Sequence, residues 1–174
     1  MPRTIVETPR LRLREFAADL SDVDALNEIQ SDAVHMRYYP HPFTRADTEA
    51  WVRSRLQSYA DRGFGLWVVE DRETGQLLGN VGPTVQMVDG LEEVELGWSI
   101  TPRRARQGVA TEAAAACRDL CFGELDLEHV IALVRPENTA SRRVAEHIGM
   151  TVWKQTVFGS EGWTHLVYSV DRGA

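Results

Sequence analysis

Between Val94 and Ala116 a strand-like run, an arginine-rich turn and a long alanine-rich helix follow one another almost without interruption. This order limits the possible folds more than any other stretch of the chain. Val94 to Ile100 reads VELGWSI, and Arg103 to Ala116 reads RRARQGVATEAAAA. The run Ala105-Arg106-Gln107-Gly108-Val109-Ala110-Thr111 brings successive backbone N–H groups to a turn where Gly108 has no side chain to obstruct a ligand. A helix N-terminus has unpaired N–H donors and a partial positive charge, so a phosphate group is accommodated there. Arg103, Arg104 and Arg106 add full charges and forked hydrogen bonds to phosphate oxygens. The plainer alternative is a solvated arginine loop with Gly108 as an ordinary turn residue. The stretch matches neither G-x-x-x-x-G-K-S/T nor a G-x-G-x-x-G after an N-terminal strand. The order strand, basic turn, helix is what favours a diphosphate cradle.

A length of 174 residues suits one domain, residues 1–174, with a core large enough to be stable without metals or disulfides. No apolar run reaches membrane-spanning length, and Met1 to Arg14 lacks a signal-peptide core, so a soluble cytoplasmic protein is expected with no membrane partner. A net charge of −7 argues against nucleic-acid affinity and weakly favours a cationic amine substrate. Cys117 and Cys121 lie four apart on one helix face with no ligand pair nearby, so buried free thiols are expected and no metal.

The element order is consistent throughout. Arg10 to Phe16 alternates as a strand, and Asp19 to Gln30 spaces Leu20, Val23, Leu26 and Ile29 as a helix with Asp19 and Ser21 as caps. Ser31 to Pro42 is an aromatic and basic loop, suited either to lining a substrate pocket or to packing on the core. Thr44 caps a helix whose buried face is traced by Ala50, Trp51, Leu56 and Tyr59 and which ends at Gly63. Strands follow at Phe64–Glu70, Gln76–Met87 and Leu91–Ile100, with Pro83 marking a bulge or an edge. Thr111–Phe122 is helical with Ala113, Ala116, Cys117, Leu120 and Cys121 inward. His129–Val134 is a strand buried on both faces, Asn138–Ile148 a helix, and Met150–Phe158 pairs with Trp163–Val170. Meander strands followed by a β-α-β crossover give an α/β (α+β) mixed sheet with helices on both faces.

ARQGVATEA resembles the acyl-CoA loop of the GNAT superfamily of N-acetyltransferases, whose pattern is Q/R-x-x-G-x-G/A. Gly108 and Ala110 fall on its last two fixed positions, whereas Ala105 departs from the first and Arg106 stands where glycine is usual. The G-x-A-T-E-A ending resembles the RimJ/RimL-like branch, which acetylates ribosomal-protein N-termini. Asn138-Thr139-Ala140-Ser141 with Val144, Glu146 and Gly149 resembles that branch's N-x-x-S-x-x-V-x-E-x-x-G.

The resemblance implies a GNAT fold with about seven strands and acetyl-CoA as cosubstrate. It assigns cofactor contacts to Arg103, Arg106, Gln107, Gly108, Val109, Ala110 and Thr111. It also assigns them to Asn138, and to the main chain of Trp98, Ser99 and Ile100, along which pantetheine would add its amides to a strand edge.

Acyl transfer needs a neutral amine, yet a lysine-like ammonium has a pKa of about 10.4 and an α-amino group one near 8. A carboxylate beside the nitrogen can take that proton. In the resembling families the strand before the cradle often supplies a glutamate to the acceptor side, which makes Glu95 the candidate, its alternative being an outward charge beside Glu92 and Glu93. Many relatives use a helix tyrosine to protonate the thiolate, but Ala145 stands there, and the resemblance gives Ser141 that role. Asn138 is equally suited to be a helix N-cap.

The expected reaction is direct transfer of acetyl to a primary amine, on a small molecule or a protein N-terminus. The alternatives are a catalytically silent acyl-CoA-binding module and an enzyme for another phosphate-bearing ligand. The resemblance is compatible with a homodimer, though no isolated interface stripe marks one.

Overall fold

The computed structural model describes residues 1–174. The strands are β1 Thr4–Glu7, β2 Leu11–Arg14, β3 Trp67–Asp71, β4 Leu77–Val88, β5 Leu91–Ile100, β6 His129–Val134, β7 Thr151–Phe158 and β8 Trp163–Asp171. The helices are α1 Val23–Gln30, α2 Arg45–Arg62, α3 Val109–Gly123 and α4 Thr139–His147, with short 3₁₀ turns at His35–Tyr38 and Pro102–Arg104. The strands form one sheet of order β1-β2-β3-β4-β5-β6-β8-β7. Every neighbouring pair is antiparallel except β5 and β6, which the α3 crossover makes parallel.

Helices cover both faces. On one, α3 and α4 bury Val109, Ala113, Ala114, Cys117, Leu120 and Ala145 against Leu96, Val130, Ala132 and Tyr168. On the other, α1 and α2 bury Val23, Leu26, Ile29 and Val52 against Phe16, Val68 and Leu77. Small alanines on α3 allow close approach to the sheet. A third, smaller cluster of Val88, Ile131 and Val167 lies where no helix of the first face reaches. No helix is long and apolar enough to cross a membrane.

Local chemistry accounts for several boundaries. Thr44 and Asp47 form a reciprocal capping box on α2, and Gly63 ends it in the left-handed region at φ 78°. Pro83 lies beyond Trp67↔Val81, the last β3–β4 pair, so its missing N–H falls where the outer side of β4 has no strand.

Four details differ from the sequence expectations. The short strand β1 adds an eighth member, too brief for its pattern to register. Helix α1 starts at Val23, because Leu20 adopts φ 64° and Asp22 caps nothing. The Asp22 carboxylate is instead held by Arg14 at 2.8 Å and by the Ala17 N–H at 2.8 Å. On α2 the fully buried positions are Thr48 and Val52, while Ala50 is exposed; Thr48 is drawn in by hydrogen bonds to Gln30 and Asn27, both 2.9 Å. On α3, Ala114 is buried and Ala116 only partly so.

Candidate active site

Strands β5 and β6 pair only at Glu95↔Ile131 and then diverge. The gap holds a cavity of about 300 Å³, walled by Glu95 to Trp98 of β5 and Ala132 to Val134 of β6. Arg135, Asn138, Ser141, Tyr38 to Pro40 and the β7–β8 turn complete its lining. The Tyr38 hydroxyl donates to the Glu137 carbonyl at 3.3 Å, joining the 31–42 loop to the segment before α4.

Side chains on β5 alternate. Leu96 enters the core under α3 and α4, so Glu95 and Ser99 face the other side. There the Glu95 carboxylate accepts from Gln86 Nε2 at 2.8 Å and from Thr84 Oγ1 at 3.4 Å. Burial pushes its pKa above the ordinary carboxylate range, while Gln86, the Leu133 backbone and Thr84 pull it partly back. The Tyr39 side chain is 45% exposed, yet its hydroxyl end lies inside, where burial and then the Glu95 charge push its pKa up and Ser99 draws it down. Ser99 Oγ is also 2.8 Å from His35 Nε2; burial lowers the His35 pKa, so the ring is neutral at pH 7.

Beyond β5 the chain turns into α3. Gly108 occupies its N-cap at φ 75° with no side-chain cap, and the backbone N–H groups of Gly108, Val109, Ala110 and Thr111 have no partner within the protein. Arg106 adopts φ 61°, which explains why glycine suits that position: a side chain in the left-handed region costs roughly 1–2 kcal/mol. Arg106 and Gln107 are exposed. Arg104 is tied to Asp71 at 2.8 Å, and Arg103 borders a separate, smaller cleft with Glu28, Asp32 and Thr101.

An arginine that sequence reasoning missed organises this turn. Arg10 Nη1 donates to the Gln107 carbonyl at 2.9 Å, and Arg10 Nε donates to Glu112 at 2.6 Å. Glu112 also accepts from Thr8 Oγ1 at 2.6 Å. Burial alone would raise the Glu112 pKa, but Thr8 and Arg10 hold it below the ordinary value.

The structure thus brings Glu95, Trp98, Asn138 and Ser141 together around one cavity. The 105–111 turn does not line it and stands past the end of the same strand. Trp98, Ser99 and Ile100 pair with Val81, Asn80 and Gly79 of β4, and their β6-facing side has no partner strand. Asn138 is the N-cap of α4, accepting from the Ser141 N–H at 3.2 Å; its amide NH₂ stays free to donate. Ala145 is fully buried, so no acid comes from that position. Cys117 and Cys121 are buried free thiols, and burial holds the Cys117 thiol well up and unreactive. Gln86 and Arg10 carried no motif in the sequence, whereas Tyr39 belongs to the Ser31–Pro42 loop read there as suited to lining a pocket. Only the pairing of Thr84 with Glu95 across β4–β5 brings Gln86 within reach.

These parts are equipped to hold an anion at the α3 N-terminus, an extended chain along the free edge of β5, and a proton on Glu95. Residues 10–151 match the family model described as Acetyltransferase (GNAT) domain. YnaD of Bacillus subtilis (strain 168), called an uncharacterized N-acetyltransferase, is 32% identical over 170 residues, covering 95% of each chain. The crystal structure of an acetyltransferase (GNAT family) from Bacillus anthracis superimposes with a TM-score of 0.79 at 30% identity, over 95% of this chain and 97% of that one. RimL, a ribosomal alpha-N-protein acetyltransferase solved with coenzyme A, shares the fold with a TM-score of 0.76 at 16% identity, over 97% and 98% of the two chains.

Proposed function

The chain belongs to the GNAT acetyltransferase family, and we propose that it is an acetyl-CoA-dependent N-acetyltransferase, one domain over residues 1–174, working in the cytoplasm. The observation that carries this reading is the divergence of β5 and β6 after Glu95, which sets a half-buried glutamate with a raised carboxyl pKa at the inner end of the gap.

In this reading the diphosphate of acetyl-CoA is gripped by the free N–H groups of Gly108 to Thr111, with Arg103, Arg106 and the Gln107 backbone at the rim. Pantetheine lies along the main chain of Trp98 to Ile100, and the Asn138 amide donates to it. The acceptor amine enters from the side of Tyr38, Tyr39 and the β7–β8 turn. Glu95 takes the amine's proton, helped by a pKa closer to working pH than that of a solvated carboxylate. The freed lone pair attacks the thioester carbonyl, the new C–N bond forms, the C–S bond breaks, and the remaining surplus proton on nitrogen passes to the departing thiolate, which leaves as the thiol. The Ser141 hydroxyl, which makes no hydrogen bond within the protein, donates to the departing thiolate. No covalent enzyme intermediate arises.

The α4 motif, the G-x-A-T-E-A ending and the RimL-like fold support placement in the RimJ/RimL-like branch, with a primary amine as acceptor. Titration with acetyl-CoA by calorimetry, followed by thiol release across an amine panel, tests the proposal. Binding with amine-dependent release is the expected result. Binding without turnover of any amine would reduce the protein to an acyl-CoA-binding module, and absence of binding would overturn both.

A further inference from the structure

The acceptor side of the cavity has two carboxylates, Glu95 and Glu161, and no cation of the protein pairs with either. Glu95 is met by the neutral donors of Gln86 and Thr84, and Glu161 by the Ser160 hydroxyl at 3.3 Å. The cation that borders the same space is already answered: Arg135 contacts Glu137 at 2.5 Å and stacks 4.2 Å over the Trp163 ring. His165 is kept neutral at pH 7, because burial lowers its pKa. Two negative charges are therefore left for a ligand to meet.

They stand far apart. Glu95 is level with Ile131 on β6, and Ile131 with Ser169 on β8. Glu161 lies in the turn past Trp163, six residues or more along β8 from Ser169. At about 3.3 Å per residue that is roughly 20 Å between the two backbone levels, shortened by side chains that lean into the cavity. The same cavity is lined by the aromatic side chains of Tyr38, Tyr39, Phe158 and Trp163, which suit the methylene groups of a ligand chain. An amine carrying one charge satisfies only one end.

Resting on the transferase reading above, we infer that the acceptor is a small, extended amine with a second cationic group. Its reacting amine sits at Glu95, its chain lies between the aromatic side chains, and its distal ammonium is read by Glu161. Glu161 is then the specificity residue for the second charge. As an exposed turn residue it can be changed without disturbing the fold.

Octamethylenediamine and aminooctanol, which match in length and differ by one charge, serve as probes in the thiol-release assay with acetyl-CoA. The wild type should favour the diamine about tenfold or more in kcat/KM. Glu161→Gln should bring that ratio close to one, leaving the amino alcohol and the affinity for CoA unchanged. Equal use of both probes by the wild type, or an equal loss on both in Glu161→Gln, would overturn the inference. If neither probe is acetylated while another amine of the panel is, the inference is overturned and the transferase reading stands. If CoA binds and no amine at all is acetylated, the transferase reading fails, and calorimetry of the diamine on the CoA-loaded protein decides separately. Diamine binding that Glu161→Gln abolishes supports the charge-reading site; absence of diamine binding overturns it.

Discussion

Glu95 of β5 and Ile131 of β6 form the single pair between the two parallel strands, and the sheet opens immediately beyond them. A carboxylate thus sits at the vertex of the opening, walled by Ala132 to Val134 on the opposite strand. Its side-chain donors are Gln86 and Thr84 on β4, both neutral, and the Leu133 backbone on β6 adds a further hydrogen bond.

Gln86 should set the working pH. Its hydrogen bond favours the ionised form of Glu95 and opposes the larger effect of burial. Gln86→Leu removes that support, so the Glu95 pKa rises further, and a base is active only when unprotonated. The acid limb of the pH profile of kcat/KM should move to higher pH in Gln86→Leu, with the alkaline limb unchanged.

The same carboxylate should lower stability at neutral pH. A group whose folded pKa is raised makes the native state bind more protons than the unfolded one, so stability falls as pH rises through the window between the two values. Glu95→Gln should melt higher than the wild type at pH 7 to 8, and the difference should shrink towards pH 4. Calorimetric scans across that range check the sign.

Glu112 has the opposite sign. Its folded pKa is lowered, so its contribution is present above the unfolded pKa and is lost as pH falls through the folded one. Glu112→Gln should lose stability at pH 7 and match the wild type in acid. Arg10→Ala breaks the same half-exposed pair. It should cost at most about 1 kcal/mol in stability, and it should weaken CoA binding several-fold by releasing the Gln107 carbonyl.

Asn138 has two separable duties. Asn138→Ala removes the cap on α4 and should cost about 1 kcal/mol, a drop of roughly 2–4 °C in Tm. Asn138→Asp keeps the capping oxygen and loses the amide donor, so its Tm should stay near that of the wild type while KM for acetyl-CoA rises. Ser141→Ala should leave Tm unchanged and lower kcat.

Much of this architecture is legible where local pattern and local chemistry coincide. The bounds of β5 and β6 coincide with the strands read at Leu91–Ile100 and in the apolar run His129–Val134, and Thr44 caps α2 as its side-chain chemistry requires. Placing Glu95 in the cavity follows from alternation once Leu96 is known to enter the core. The opening itself has no local signature, because it depends on where two strands distant in sequence cease to pair. Arg10 and Glu112 meet across 102 positions, and no periodicity announces that. The late start of α1 has the same cause, since Asp22 is claimed by Arg14. Arg106 in a conformation suited to glycine is a local exception whose reason lies in the turn it completes.

The central claim is that the carboxylate at the vertex carries the amine's proton in the chemical step. Single-turnover acetyl transfer by Glu95→Gln, measured beside its affinity for CoA, tests this most directly. The account predicts a rate lower by about 10²–10⁴-fold with CoA affinity unchanged. A Glu95→Gln variant that transfers acetyl within a few-fold of the wild-type rate would contradict it.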